Sequence, residues 1–93
     1  MASEARQIVV RGRVQGVGFR YFVRETGMRL GLTGDVWNCE GGTVEIIVEG
    51  PPSEIAEFIR EVEKGPPVSH VKRIEVRAVP PTGRYASFLV EGW

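Results

Sequence analysis

The chain has one cysteine, one histidine, one aspartate and one asparagine in 93 residues. Cys39 therefore has no partner for an internal disulfide, and with His70 as the sole imidazole there is no His/Cys set to complete a zinc site. No apolar stretch approaches the roughly 20 residues that a membrane helix needs. The opening MASEARQ is polar and leads straight into a strand-like run, so no secretory leader is read there. Charge of a single dominant sign is missing too. Twelve basic and twelve acidic side chains cancel, which removes the long-range field that draws proteins to nucleic acid or anionic membrane. These absences predict a metal-free, cofactor-free protein of the reducing cytoplasm, with no nucleic-acid or membrane partner. A local anion pocket is compatible with zero net charge.

What is present suits one compact domain over residues 1–93. Hydrophobic residues make up 42% of the chain, and a domain of this length buries roughly 60 to 68% of its unfolded surface, leaving nothing for a second core. Arginine supplies most of the positive charge and glutamate most of the negative, a skew that fits a coding bias or modest thermal adaptation equally well.

Periodicity orders the elements. In QIVVRGRV, Ile8, Val10, Gly12 and Val14 share one face and Val9, Arg11 and Arg13 the other, which reads as a strand. Phe19, Phe22, Val23, Thr26 and Leu30 then recur at helical spacing, predicting a helix from about Phe19 to Gly31, weakened by about 1 kcal/mol at Gly27. Two strand-like runs follow, joined by Glu40-Gly41-Gly42, with Val44, Ile46 and Val48 alternating against Glu45, Ile47 and Glu49; the glycine pair suits a tight hairpin. A second helix opens at Pro51-Pro52-Ser53, carries Ile55, Phe58, Ile59 and Val62 on one stripe and stops at Gly65-Pro66-Pro67. A strand around Val71 to Val79, the turn-rich PPTGRY and a short strand near Ser87 to Val90 complete the chain. The order predicts an α+β, ferredoxin-like βαββαβ sandwich, with two helices on one face of an antiparallel four- to five-stranded sheet.

Between the first strand and the first helix lies Gln15-Gly16-Val17-Gly18-Phe19-Arg20. Its glycines leave the backbone bare, so its amides can turn inward at the positive end of the following helix, where an anion is favoured. Arg20 adds a planar fork of donors that matches phosphate oxygens. On the loop alone, an anion site and a merely tight connection fit equally well. The glycines run G-x-x-x-G-x-G, matching neither the dinucleotide fingerprint nor the Walker loop, so a small phosphate-bearing ligand fits better than a nucleotide.

The string Val10-Arg11-Gly12-Arg13-Val14-Gln15-Gly16-Val17-Gly18-Phe19-Arg20 closely resembles the signature of the acylphosphatase family. A second stretch, Gly34 to Glu45, is similar to that family's G-x-V-x-N-x-x-D-G-x-V-E block. The resemblance extends over nearly the whole chain, through the Gly65-Pro66-Pro67 that ends the second helix. It implies a hydrolase of acyl phosphates with Arg20 binding the phosphoryl group, the amides of Gln15, Gly16, Val17, Gly18, Phe19 and Arg20 cradling it, and Asn38 placing the attacking water. Where the family has Asp or Asn before the hairpin glycine this chain has Gly41, which affects the turn rather than the chemistry. An asparagine near a hairpin is ordinarily a turn residue, but Asn38 precedes the turn glycines by several positions, and its carboxamide can both accept from a water and donate to a phosphoryl oxygen.

The scarcity of acid–base groups fits that reading. The carboxylate leaving group of an acyl phosphate has an ordinary pKa of about 4 and departs without a general acid. Positioning and charge stabilisation then suffice, from amides, one Arg and one Asn, without metal or cofactor. Asp35 and Glu40 are read as structural or solvated, His70 as exposed or capping, Trp37 and Trp93 as packing groups, and Cys39 as an inert thiol.

Two rivals stand beside this reading. A non-catalytic ferredoxin-like module for phosphate or RNA would share the fold, but the third strand, Thr-Val-Glu-Ile-Ile-Val-Glu, lacks the aromatics and basic face that RNA recognition uses. Relatives of this domain also occur fused to larger carbamoyl-transfer proteins, which makes carbamoyl phosphate an alternative substrate. The chain starts just before its first strand and ends just after its last, so a free-standing, monomeric enzyme is expected.

Overall fold

A computed structural model describes residues 3–92, and Trp93 lies outside the described residues. The elements are β1 (Glu4–Arg13), α1 (Phe19–Arg29), β2 (Thr33–Asn38), a 3-10 turn at Glu40–Gly42, β3 (Val44–Gly50), α2 (Pro52–Lys64), β4 (His70–Val79) and β5 (Phe88–Val90). The order matches the sequence reading, with α1 two residues shorter than expected. Its end is a Schellman motif: the Gly31 amide donates to Met28 and the Leu32 amide to Gly27, with Gly31 at positive φ.

The five strands form one sheet in the order β4-β1-β3-β2-β5. Strands β1 and β3, β1 and β4, and β2 and β3 pair antiparallel, but β2 and β5 pair parallel, so the sheet is mixed and the expectation of a purely antiparallel one is corrected. The reason lies in the chain path. β4 runs opposite to β1 and therefore to β2, so its last residue and the first residue of β2 lie at the same end of the sheet. Residues 80–87 cross at that end, and the chain can enter β5 only in the direction of β2.

That crossing is pinned by Glu49. Its carboxylate accepts hydrogen bonds from the Thr82 amide (3.0 Å), the Thr82 hydroxyl (2.9 Å) and the Gly83 amide (2.9 Å). Burial pushes the Glu49 pKa up, but these three donors and the Arg84 charge outweigh it and hold the carboxyl below its ordinary value.

Both helices cover one face of the sheet. Ile8 and Val10 of β1, Val36 of β2, and Val44, Ile46 and Val48 of β3 meet Phe19 and Val23 of α1 and Ile55, Phe58 and Val62 of α2 in a single buried cluster. Phe88 of β5 closes it, its ring 5.7 Å from that of Phe58. Burial of one such side chain stabilises by roughly 1.5–3 kcal/mol. Phe88 also accounts for Gly27 in mid-helix: a Cβ at that position would stand 2.4 Å from the Phe88 ring. The propensity lost at Gly27 makes room for β5.

Candidate active site

The parallel entry of β5 brings three carboxyl ends, those of β1, β2 and β5, to one end of the sheet. There a cleft of about 320 Å³ is lined by Gln15, Arg20, Trp37, Asn38, Cys39, Glu40, Glu91 and Gly92. The two residues singled out in sequence, Arg20 and Asn38, thus share one cleft.

The loop between β1 and α1 turns on Gly16 (φ 72°) and Gly18 (φ 77°), in the left-handed region that side-chain-bearing residues rarely adopt. A Cβ at either would meet no atom within 4 Å, so the requirement is conformational and not one of space. No side chain caps α1, and its first turn carries no acid. Residues 15–21 donate no backbone hydrogen bond to another backbone group among the described residues; the first such donor is Phe22, to Gly18 at 3.1 Å. Phe19 is buried in the core, so only its amide is available to the loop, whereas Gly16 and Gly18 are exposed. Uncapped amides at a helix start favour an anion.

Arg20 stands in that first turn, where a cation works against the helix dipole. One of its nitrogens, Nη1, donates to the Glu91 carbonyl at 2.6 Å. The fork is thereby held by the C-terminal segment, with its other donors unspent on protein acceptors among the described residues.

Asn38 is the last residue of β2, opposite Val44. Its Oδ1 is buried and has no hydrogen-bond partner among the described residues. An orphaned buried acceptor costs about 1–3 kcal/mol, which a fold tolerates where a ligand supplies the missing donor.

The sequence assigned Gln15 a backbone amide, but its side chain does more. Nε2 donates to the Cys39 carbonyl at 2.8 Å and to the Thr43 carbonyl at 2.9 Å, tying the loop to both sides of the β2–β3 hairpin. That hairpin closes with a Cys39 amide to Thr43 carbonyl bond of 2.9 Å over the 3-10 turn. Asn38 is therefore fixed relative to the loop through Gln15. A glutamine carries no sign in a sequence that its amide will span two chain segments.

Other candidates fall elsewhere or change role. His70 is exposed at the start of β4, paired with Arg13, beside a separate cleft that it shares with Gly12, Arg13 and Lys72. Glu40 is exposed at the rim of the Arg20 cleft. Cys39 lines the cleft with its thiol pKa pushed up by burial and by the Glu45 carboxylate beside it, which disfavours the thiolate. Asp35 is buried rather than solvated. Glu91 and Gly92 carried no signal in the sequence, because their place beside Arg20 depends on β5 lying next to β2.

The fold is that of a ferredoxin-like α+β protein, with a glycine-turned loop of unspent amides between its first strand and first helix. Comparison with known proteins narrows the class. The acylphosphatase family model matches residues 6–90, and the chain belongs to that family. An acylphosphatase of Thermotoga maritima is 42% identical over 88 residues, which are 95% of this chain and 97% of that one. One of Koribacter versatilis is 42% identical over 90 residues, 97% of this chain and 82% of that one. The crystal structure of acylphosphatase from Bacillus subtilis superposes with a TM-score of 0.91 at 38% identity, covering 96% of this chain and 99% of that one. HypF of T. kodakarensis holds a similar region, with a TM-score of 0.84 at 38% identity, covering 96% of this chain and 12% of that larger one. The family is one of hydrolases, and it implies a small acyl phosphate as substrate. No described helix is long and apolar enough to cross a membrane.

Proposed function

We propose that the chain hydrolyses the carboxyl–phosphate bond of acyl phosphates without a metal or cofactor, as one monomeric catalytic unit of the cytoplasm. The observation that carries this is that Gln15 and Arg20, at the two ends of the glycine-turned loop, line one cleft with Asn38 and its orphaned Oδ1; Gly16, Val17, Gly18 and Phe19 stand outside its lining. The amides of Gln15 to Arg20 and the Arg20 guanidinium bind the phosphoryl oxygens, where charge accumulates in the transition state. Asn38 accepts a hydrogen bond from a water and holds it in line with the bond to be broken. The water oxygen attacks phosphorus, and the electron pair of the breaking P–O bond leaves with the carboxylate. The water's proton passes to a phosphate oxygen of the substrate. No phosphoenzyme forms.

Carbamoyl phosphate is a second substrate to test, since it too joins a carboxyl carbon to phosphate through an anhydride bond. Binding to RNA finds little support: the central strands β1 and β3 carry no aromatic residue. The experiment is release of inorganic phosphate from benzoyl phosphate and from carbamoyl phosphate, with and without EDTA. Hydrolysis unaffected by EDTA is the expected result. Activity abolished by EDTA and restored by Mg2+ would overturn the metal-free mechanism, and absence of hydrolysis with retained binding of phosphate or RNA would overturn the enzyme reading.

A further inference from the structure

The face of the sheet turned away from the helices carries a carboxyl that the chemistry above does not use. Asp35 of β2 is only 6% exposed, and its Oδ1 has no hydrogen-bond partner among the described residues. Glu91 lines the same recess as Asp35, and its carboxyl is the acidic group set beside it. Two ionised carboxylates cannot rest against each other at low cost, whereas one proton between them makes an O–H···O bond and removes one charge. Burial comes first and the Glu91 carboxyl second in pushing the Asp35 pKa up to about 7, against the Val36 amide and the Arg84 charge.

Beside Arg84, the other cation brought to the C-terminal segment among the described residues is Arg20, held at the Glu91 carbonyl. From the crossing segment come Arg84 and Tyr85; Arg84 is shared with Glu49. From β3 comes Ile47, directly opposite Asp35 and flanked by Glu45, which lies against Cys39, and by Glu49, which is engaged with Thr82 and Gly83. On β2 itself the neighbour is Trp37, and from β5 it is Leu89.

Glu91 connects this pair to the active site through its backbone. Its amide donates to the Val36 carbonyl at 2.9 Å, and its carbonyl accepts from Arg20 Nη1 at 2.6 Å. Gly92 follows so closely that a Cβ there would lie 3.2 Å from the same nitrogen. The recess around Asp35 is lined by Trp37, Tyr85, Glu91 and Gly92, and three of these also line the Arg20 cleft. Whatever seats the Glu91 side chain also seats the carbonyl that holds Arg20.

We propose that Asp35 is a positioning residue: a proton shared between the Asp35 and Glu91 carboxyls docks the C-terminal segment so that the Glu91 carbonyl holds Arg20 toward the phosphate loop. This rests on the reading of Arg20 as the phosphate-binding residue. Loss of the shared proton to solvent leaves two facing carboxylates, loosens the segment and frees the guanidinium, so turnover falls as pH rises. An amide at either position donates permanently to the remaining carboxylate and removes that dependence.

The test is the pH profile of kcat/KM for benzoyl phosphate between about pH 5.5 and 9, measured on wild type, Asp35→Asn, Glu91→Gln and Arg20→Ala. Wild type is expected to fall through pH about 7, by roughly five- to tenfold, the worth of one hydrogen bond. Asp35→Asn and Glu91→Gln are expected to lack that descending limb. Should Asp35→Asn fold poorly, the exposed Glu91→Gln gives the same readout. A descending limb unchanged in both variants, or a uniform loss at every pH, overturns the proposal. Arg20→Ala separates the two levels of inference. If it is inactive while the other profiles match wild type, only the Asp35 proposal fails; if it keeps wild-type turnover, the site reading fails with it.

Discussion

The two ends of the sheet treat their polar groups in opposite ways. Where residues 80–87 cross, Glu49 is buried but satisfied, with three donors on its carboxylate and its pKa held low. At the carboxyl ends of β1, β2 and β5, Asn38 Oδ1 is orphaned, α1 starts uncapped, Arg20 opposes the helix dipole, and the nearby Asp35 is set against another carboxyl. Glu49 and Asp35 are both buried on the same sheet face within reach of Arg84, so the supply of donors and not burial makes the difference. Groups left unsatisfied lower stability, and a fold keeps them where a ligand completes them.

The largest expected effect lies at the unsatisfied end. Arg20→Ala should lower kcat by at least about 10²- to 10³-fold, the usual cost of one transition-state donor, while thermal stability holds or rises because a cation leaves the first turn. Steady-state kinetics and a melting curve check both halves; a large loss of melting temperature would make this end structural after all. At the satisfied end the effect should reverse. Glu49→Leu strands the Thr82 and Gly83 amides and should destabilise by about 1–3 kcal/mol, read in denaturant unfolding, with kcat of the folded protein unchanged.

Gln15→Ala probes the join between loop and hairpin. Loss of its two hydrogen bonds should cost kcat roughly tenfold and leave the inhibition constant for inorganic phosphate nearly constant, since Asn38 drifts while the loop amides stay.

The smallest effects are linkage slopes of opposite sign. Glu49 has a lowered pKa, so its contribution is present above its unfolded value near 4.5 and is lost as pH falls through the still lower folded value. Asp35 has a raised pKa, so its contribution is complete below 3.8 and is lost as pH rises through about 7. Melting temperatures of Asp35→Asn between about pH 4 and 7 should therefore decline less than those of wild type; parallel curves would erase the contrast between the two acids.

Sequence periodicity was sufficient for α2, because Pro51-Pro52 and Gly65 bound its apolar stripe, and for the buried alternation of Val44, Ile46 and Val48. It could not give the direction of β5, which depends on where the chain crosses the sheet, nor the reason for Gly27, which is a contact with Phe88 some sixty residues away. The same division runs through the site. A glycine-bare loop entering a helix at Arg20 is local chemistry, and was readable as such. Asn38 rested on family resemblance, and its role as water placer is a proposal to which the orphaned Oδ1 lends support. The Gln15 amide, the Glu91 carbonyl and the buried Asp35 are products of tertiary placement and left no local trace.

The water-placing role of Asn38 is tested most directly by measuring kcat and the inhibition constant for inorganic phosphate on Asn38→Ala. The expected result is a fall in kcat of about 10²-fold or more with phosphate binding within about threefold of wild type. Turnover near the wild-type value, or phosphate binding lost in step with kcat, would contradict it.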